Sequence, residues 1–275
     1  MHVNDGGKGM EIKAYVLERK EQLKHLIEQY ERKPHLVIVQ MNDDAASHAY
    51  VRGKIKDCEE VGIIAELIRV PLEESEEQLC ARLESLNHRE DVDGYIVQMP
   101  LPPHIHEEKI KLLVHPKKDV DGFHPCSLYQ PCTPKGVIDY LLHEKMTFRG
   151  KNAVVLGRSY IVGRPLAKML LDLDTNCVVL HTKTTEEDKK RYIEHADFIF
   201  SAVGKPGVLD ERYHYKKDAV IVDIGISRVD GHLYGDAKPN LPVLLQTPVP
   251  GGVGLLTRLT LLWNVWEAYQ HGIHN

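Results

Sequence analysis

The chain has 275 residues, of which 43% are hydrophobic and 27% charged, and its formal net charge is −5 at pH 7. This composition is ordinary for a globular protein, and the length allows two modest domains with separate cores. Nucleic-acid-binding proteins are strongly basic, so we expect no nucleic acid as partner. No apolar run here approaches the roughly 20 residues that span a bilayer, so we expect no membrane as partner.

The cysteines are five in number, scattered, and never spaced as C-x-x-C: Cys58, Cys80, Cys126, Cys132 and Cys177. Met1–Gly9 lack the charged-then-apolar layout of a secretory signal. We therefore expect reduced thiols and a cytoplasmic protein. His124, Cys126 and Cys132 lie close in sequence, but their spacing matches no standard zinc site, so we expect no metal.

The first half of the chain alternates helices with strands. Apolar periodicity predicts a helix from Glu11 to about Arg32, and helix caps predict a second at Ala45–Val61 and a third from Ser75 to about Leu86. Apolar runs predict strands at 35–40, 64–70 and 94–98. This alternation predicts a three-layer α/β substrate domain with a largely parallel sheet.

The second half begins with a connecting helix from Thr133 to about Lys145. The predicted strands that follow are 152–157, 177–181, 197–203 and 219–224, with helices at 163–173 and 185–194. This order predicts a Rossmann-like domain. A final helix from Leu255 to about Tyr269 is expected to pack back on the first domain. We place the domains at 1–143, with the C-terminal helix 255–275, and at 144–254.

The turn from Gly157 to Gly163 follows a strand and opens a helix, so its backbone N–H groups and the positive end of the helix can meet a pyrophosphate. Ser159 stands where the common fingerprint has its second glycine. The next strand ends in His181-Thr182-Lys183, where an NAD site usually carries an acid, and Arg158 adds a cation. These residue types favour NADP, although a structural turn with solvated surface charges stays open.

Candidate chemistry in the first half begins on the helix 45–61. Tyr50 and Lys54 share a face beside an apolar stripe, and spacing alone favours a surface pair. Gln98 ends a buried-looking strand, where ligands bind in α/β sheets. Asp119 and Asp121 lie in a loop, and recognition explains them better than packing, with turn capping as the alternative.

Six segments in order carry a specific resemblance that covers nearly the whole chain: Tyr50-Val-Arg-Gly-Lys54, Gly94-Tyr-Ile-Val-Gln98-Met-Pro-Leu-Pro102, Lys118-Asp-Val-Asp-Gly-Phe-His-Pro125, Pro131-Cys-Thr-Pro-Lys-Gly136, Gly157-Arg-Ser-Tyr-Ile-Val-Gly-Arg-Pro165 and Thr247-Pro-Val-Pro-Gly-Gly-Val-Gly254. Together they resemble the methylenetetrahydrofolate dehydrogenase/methenyltetrahydrofolate cyclohydrolase family. The resemblance implies NADP-dependent oxidation of 5,10-methylenetetrahydrofolate and hydrolysis of the methenyl product to 10-formyltetrahydrofolate. It also implies a homodimer that serves one-carbon metabolism and purine biosynthesis.

By similarity, Lys54 is the central catalytic group and Gln98 works beside it, Tyr50 lines the folate pocket, and Asp121 anchors the pterin ring. The residues that the resemblance places at the cofactor are Gly157, Arg158, Ser159, Ile161, Gly163, Thr182 and Ile226. The turn Pro250, Gly251 and Gly252 is expected to approach the substrate. A lysine beside the cationic methenyl group gives up its proton more readily, so it can act as a base toward water.

The chain departs from the family pattern in a few segments. Cys126–Gln130 is shorter than in relatives, and we expect this to open or remodel one wall of the folate pocket. Gln40-Met41-Asn42, Asp236-Ala-Lys238 and Leu255-Leu256 also differ. Three alternatives therefore stay open: a member with one activity, a different NADP dehydrogenase of the shikimate type, and a non-catalytic folate- or nucleotide-binding protein.

Overall fold

The computed structural model describes residues 11–273, so Met1–Gly9 and the expectation attached to them lie outside the described residues. Two compact units make up the fold. The first unit comprises Leu17–Cys132 with residues 258–273, and the second unit comprises Thr133–Thr257 with residues 11–16. The functional division of the chain at residues 143 and 144 stays a prediction.

The elements of the first unit follow local sequence signals closely. They are α1 (Ile12–Glu28), which enters this unit at Leu17, then β1 (His35–Gln40), α2 (Ala45–Val61), β2 (Ile64–Arg69), α3 (Glu76–His88), β3 (Gly94–Gln98) and α4 (Glu107–Leu113). Asp44 accepts from Ser47 N at 2.7 Å and caps α2, which ends at Gly62 with φ of 85°. The predicted bounds of this helix are confirmed.

Helix α1 ends before its predicted limit at Arg32. Nζ of Lys33 donates to the carbonyl oxygens of Ile27 at 3.0 Å and Tyr30 at 2.6 Å. The ammonium thus satisfies carbonyl groups at the end of the helix, which favours termination at Glu28.

The sheet of the first unit is parallel, in the order β2-β1-β3. Because successive side chains on a strand point to opposite faces, β1 contributes to two cores. Leu36 and Ile38 pack in one core with residues of α1, α2 and α8, while Val37 and Val39 pack in the other with α3 and α4. The three-layer α/β prediction is confirmed, and residues 258–273 of the C-terminal helix belong to this unit as expected.

The second unit contains α5 (Cys132–His143), β4 (Asn152–Leu156), α6 (Gly163–Asp172), β5 (Asn176–Leu180), α7 (Glu186–Glu194), β6 (Phe198–Ser201), β7 (Val220–Asp223), β8 (Ile226–Val229), β9 (His232–Gly235) and β10 (Leu245–Gln246), and it contributes the start of α8 (Val253–Ile273). Its main sheet is parallel, in the order β10-β7-β6-β4-β5. The Rossmann-like prediction is confirmed. Helix α4, the antiparallel pair β8–β9 and the short β10 were not predicted.

Parallel strands end at the same edge of a sheet, and in both units the candidate ligand-binding residues lie at this edge. In the first unit, the register pairs Gln40 of β1 with Gln98 of β3. In the second unit, the residues that directly follow β4, β5 and β6 are Gly157, His181 and Ala202. No helix within the described part of the chain is long and apolar enough to cross a membrane.

Candidate active site

Lys54 is buried, with 6% of its surface exposed, on the face of α2 that turns toward the sheet. Its Nζ donates to Oε1 of Gln98 at 3.1 Å and lies 5.2 Å from the centroid of the Tyr50 ring. The surface Tyr–Lys pair that spacing alone favoured is therefore wrong. A buried amine needs polar partners, and here a strand end supplies one.

Gln98 is oriented by its own hydrogen bonds. Its Nε2 donates to the carbonyl of Met99 at 2.8 Å, which leaves Oε1 to accept from Lys54. Nδ2 of Asn42 donates to the carbonyl oxygens of Gln98 at 3.3 Å and Pro100 at 2.9 Å. The unusual residue Asn42 thus ties the end of β1 to the end of β3, and it holds the backbone that carries the amide.

The loop after β3 is held by the carboxylate of Asp119, which is buried. It accepts from the backbone N–H of His124 at 2.7 Å and of Gly122 at 3.2 Å. Gly122 has φ of 76°, and a Cβ there would collide with the backbone of Gln130 and Pro131. Burial raises the pKa of Asp119 to about 6. This carboxylate shapes the loop, so its role is positional.

Asp121 lies in the same loop and is partly exposed. Desolvation raises the pKa of its carboxyl group, and the neighbouring Lys54 ammonium opposes that shift. Asp121 therefore lies near Lys54, which in turn contacts Gln98 and Tyr50. The first unit therefore brings together the four residues that the resemblance singles out: an aromatic ring, an amine, an amide and a carboxylic acid.

Asn264 of α8 is a supporting residue that the sequence reasoning missed. Its Nδ2 donates to the carbonyl oxygens of Val120 at 2.9 Å and Gln130 at 3.1 Å, one on each side of the loop that carries Asp121. An asparagine within the apolar run 261–266 was the available signal, since a buried amide needs partners. The C-terminal helix thereby fixes the acidic loop.

The short segment Cys126–Gln130 packs against this loop. Tyr129 is buried, and its hydroxyl donates to the carbonyl of Lys117 at 3.1 Å. Ser127 Oγ donates to the carbonyl of Asp119 at 3.0 Å. The expected opening of a folate-pocket wall stays a prediction. Among residues 11–273, no group of three or more His, Cys, Asp or Glu side chains is arranged to hold a metal ion.

A cavity of about 540 Å³ lies at the carboxyl edge of the second unit's sheet. Gly157, Arg158 and Thr182 line it, as predicted for a cofactor site. Gly157 has φ of 110°, and a Cβ there would collide with the carbonyl oxygen of Ala202. The turn after β4 therefore approaches β6 closely at the point where ligands bind in doubly wound sheets.

Ser159 and Gly163 shape this turn and do not line the cavity. Ser159 Oγ accepts from the backbone N–H of Val162 at 3.2 Å and of Gly163 at 3.3 Å, so it satisfies the N–H groups at the start of α6. Within the described chain, the N–H groups of residues 158–161 have no hydrogen-bond acceptor. They are available to an anion, as a pyrophosphate requires.

Two other predicted cofactor residues, Ile161 and Ile226, also lie outside the cavity lining. Ile226 begins β8 and is half exposed. The turn Pro250–Gly252 belongs to the second unit, where Gly251 has φ of 95° and a Cβ on Gly252 would collide with the carbonyl oxygen of Pro248. The substrate contacts expected of this turn stay a prediction.

Several cationic side chains line the cavity. Sequence reasoning found Arg158 but missed Lys189 and Arg212, which also line it. Lys189 pairs with Glu186 at 2.5 Å, and Glu186 also accepts from the hydroxyl of Tyr213 at 3.1 Å. Cations beside unpaired backbone N–H groups suit a phosphorylated dinucleotide, so the residues present fit NADP.

Comparison with known proteins agrees with this geometry. Sequence models describe residues 8–121 as the tetrahydrofolate dehydrogenase/cyclohydrolase catalytic domain and residues 131–273 as the NAD(P)-binding domain of the same family. The chain is 39% identical over 268 residues to the Bifunctional protein FolD of Hydrogenobaculum sp., covering 92% of this chain and 94% of that protein. It is 40% identical over 246 residues to the Bifunctional protein FolD of Thermus thermophilus, covering 86% of each.

Solved structures give the same result. The bifunctional FolD enzyme of Campylobacter jejuni superposes with a TM-score of 0.91 at 34% identity, covering 96% of this chain and 99% of that one. The Trypanosoma brucei enzyme, complexed with NADP cofactor and inhibitor, gives 0.89 at 28% identity over the whole of both chains. The chain belongs to the tetrahydrofolate dehydrogenase/cyclohydrolase family.

Proposed function

We propose that the chain oxidises 5,10-methylenetetrahydrofolate with NADP and hydrolyses the resulting 5,10-methenyltetrahydrofolate to 10-formyltetrahydrofolate. The observation that carries the proposal is the buried amine of Lys54, held 3.1 Å from an oriented glutamine beside an aromatic ring. Family membership and the cavity of the second unit support it.

The hydrolytic step needs a base near the methenyl carbon. In the proposed mechanism, Lys54 takes a proton from water as the water oxygen bonds to that carbon. The hydroxyl group of this adduct then gives up its proton and becomes the formyl carbonyl as the bond from the carbon to N5 breaks. N5 takes up one proton, the formyl group stays on N10, and one proton is released overall. Gln98 accepts a hydrogen bond from Lys54 and so fixes the direction of its lone pair. Its amide is itself held by Met99, so it needs no reorientation during the step.

Substrate orientation is the task of Asp121 and Tyr50. The amino-pyrimidine ring of a pterin presents neighbouring N–H donors, and an ionised carboxylate can accept two of them as a fork. Tyr50 offers a flat apolar face to the aromatic part of the substrate. Asp119 and Asn264 hold the loop on which Asp121 stands.

NADP supplies the hydride acceptor when it is bound. Gly157 allows the close approach of backbone to ligand, and the N–H groups of residues 158–161 would bind the pyrophosphate. Arg158 and Thr182 would bind the 2′-phosphate, with Lys189 and Arg212 adding positive charge. This set favours NADP over NAD, because the end of β5 lacks the acid that binds a free ribose 2′-hydroxyl.

We further propose a cytoplasmic homodimer that serves one-carbon metabolism, including purine biosynthesis. Free thiols at all five cysteines support a reducing compartment. The pair β8–β9 exposes Ile226, Val229 and Tyr234, an apolar surface that a second copy could cover. Light scattering on the purified protein at micromolar concentration tests the dimer, and a monomer mass would contradict it.

Separate steady-state assays of the two half-reactions test the proposed function. The dehydrogenase assay follows the reduction of NADP with methylenetetrahydrofolate, and the cyclohydrolase assay follows the loss of absorbance of the methenyl compound. We expect both reactions, with NADP preferred to NAD in kcat/KM. Absence of NADP reduction would refute the dehydrogenase assignment, and unaccelerated methenyl decay would refute the cyclohydrolase assignment.

A further inference from the structure

Arg258 of α8 belongs to the first unit, and only one nitrogen of its guanidinium pairs with a carboxylate. Only 22% of its side chain is exposed. Its Nε lies 3.1 Å from Oδ2 of the buried Asp57, and Asp57 is also paired with Lys20 at 2.5 Å. In the part of the chain that the structure describes, Nη1 and Nη2 of Arg258 have no hydrogen-bond acceptor. These two amino groups are therefore available to an acceptor from outside the chain.

The head of Arg258 fills a space that exists because residue 53 is glycine. A Cβ on Gly53 would collide with Nη1 of Arg258. At about 100° per residue, Tyr50, Gly53, Lys54 and Asp57 fall within an arc of about 100° on α2. The guanidinium therefore lies on the same face of the helix as the aromatic ring and the amine of the candidate active site.

The ligand chemistry follows from two groups of opposite charge near α2: Arg258 contacts the helix at Gly53, and Asp121 lies near Lys54. Asp121 is an acceptor suited to the donor-rich pterin ring, whereas the paired amino groups of a guanidinium match a carboxylate. A tetrahydrofolate carries its pterin at one end and a glutamate with carboxylates at the other. We propose that Arg258, whose guanidinium stands over Gly53, binds a carboxylate of the substrate's glutamate tail; this inference rests on the proposed function.

A purely structural role accounts less well for Arg258. Asp57 keeps its ion pair with Lys20 when Arg258 is removed, so the buried carboxylate does not lose all its compensation. An apolar side chain would also fill the space over Gly53, so packing alone does not explain an arginine at this position. The amino groups of Arg258 that do not pair with Asp57 are the part of the side chain that can bind a carboxylate.

The test uses two substrates that differ only at the tail. Wild type and Arg258→Met are assayed with methylenetetrahydrofolate and with methylenetetrahydropteroate, which lacks the glutamate. We expect Arg258→Met to raise KM for the glutamate-bearing substrate about tenfold, as the loss of one charge-assisted contact predicts, with little change in kcat. KM for the pteroate compound should not change. Arg52→Met is the matched control, because Arg52 is exposed on the opposite side of α2.

A second variant keeps the test independent of the stability of Arg258→Met. In Gly53→Ala the new methyl group displaces Nη1, while alanine favours the helix over glycine. We expect a rise in KM for the glutamate-bearing substrate alone, with no loss of thermal stability. Equal KM changes for both substrates, or none for either, would overturn the tail assignment. Wild-type protein that oxidises neither compound would instead refute the proposed function.

Discussion

The cofactor cavity of the second unit depends on one buried carboxylate, that of Asp236, which is 0% exposed. Its Oδ2 accepts from Ser201 Oγ at 2.8 Å and from Val203 N at 2.7 Å, and its Oδ1 accepts from Lys205 N at 2.8 Å. Val203 and Lys205 line the cavity. Asp236 therefore sets the course of the segment that follows β6.

The substitution Asp236→Asn keeps the shape but changes the donor pattern. One carboxylate oxygen becomes an NH₂ group, which faces a backbone N–H and cannot accept from it. The lost charge-assisted bond costs about 2 kcal/mol of folding free energy. Because the displaced segment lines the cavity, we expect the Kd for NADP to rise about tenfold.

Urea unfolding and calorimetric titration with NADP measure the two effects. Asp230→Asn is the matched control, since Asp230 is exposed in the β8–β9 turn at φ of 49°, a conformation that asparagine also adopts. Hydrolysis of added methenyltetrahydrofolate should persist in Asp236→Asn, because Lys54, Gln98 and Asp121 belong to the first unit. Unchanged NADP affinity in folded Asp236→Asn would refute the positioning role.

Three further predictions concern the first unit. Gln98→Ala removes the acceptor that orients Lys54, so it should lower kcat for methenyl hydrolysis about 100-fold while the urea midpoint stays normal. An unchanged kcat would contradict the role of the amide. The pKa of Asp121 is raised, so KM for the folate substrate should rise as the pH falls toward that pKa. Asp121→Asn should abolish this pH dependence of KM. A dependence that persists in the variant would exclude Asp121 as its source. The pKa of Asp119 is about 6 in the fold against about 3.9 in the unfolded chain, so its stabilising contribution is present below about pH 4 and is lost as the pH rises through 6. Urea midpoints should therefore fall over this window, and less steeply in Asp119→Asn. Asp223, whose pKa burial also raises to about 6, and Asp121 contribute to the remaining slope. Identical slopes in both proteins would contradict the assignment to Asp119.

Local signals predicted most of the fold. The bounds of α2 and β3 match the sequence prediction, because each has clear end signals: Asp44 and Gly62 for the helix, and prolines after Gln98 for the strand. The missed elements lack such signals. Helix α4 has seven residues, and the strands β8, β9 and β10 are short and mostly exposed or half-buried, so their residues show no strong apolar period.

The site was predictable in residue identity but not in geometry. Tyr50, Lys54, Gln98 and Asp121 could be named from motifs, yet helical spacing placed Lys54 at the surface. Its burial arises from β3 and the loop after it, which pack on α2 from 44 or more residues away along the chain. Asn264 and Asp236 were missed for the same reason, since their partners are distant in sequence and no local pattern reports them.

The role of Lys54 as the base is the central claim, and a single absorbance trace tests it most directly. Methenyltetrahydrofolate is supplied directly, so that hydrolysis is observed without the preceding oxidation, and its decay is followed with wild type and Lys54→Gln. Glutamine keeps a hydrogen-bonding side chain of similar reach but cannot take a proton. We expect decay in Lys54→Gln to fall to the rate without enzyme, whereas decay at the wild-type rate would contradict the account.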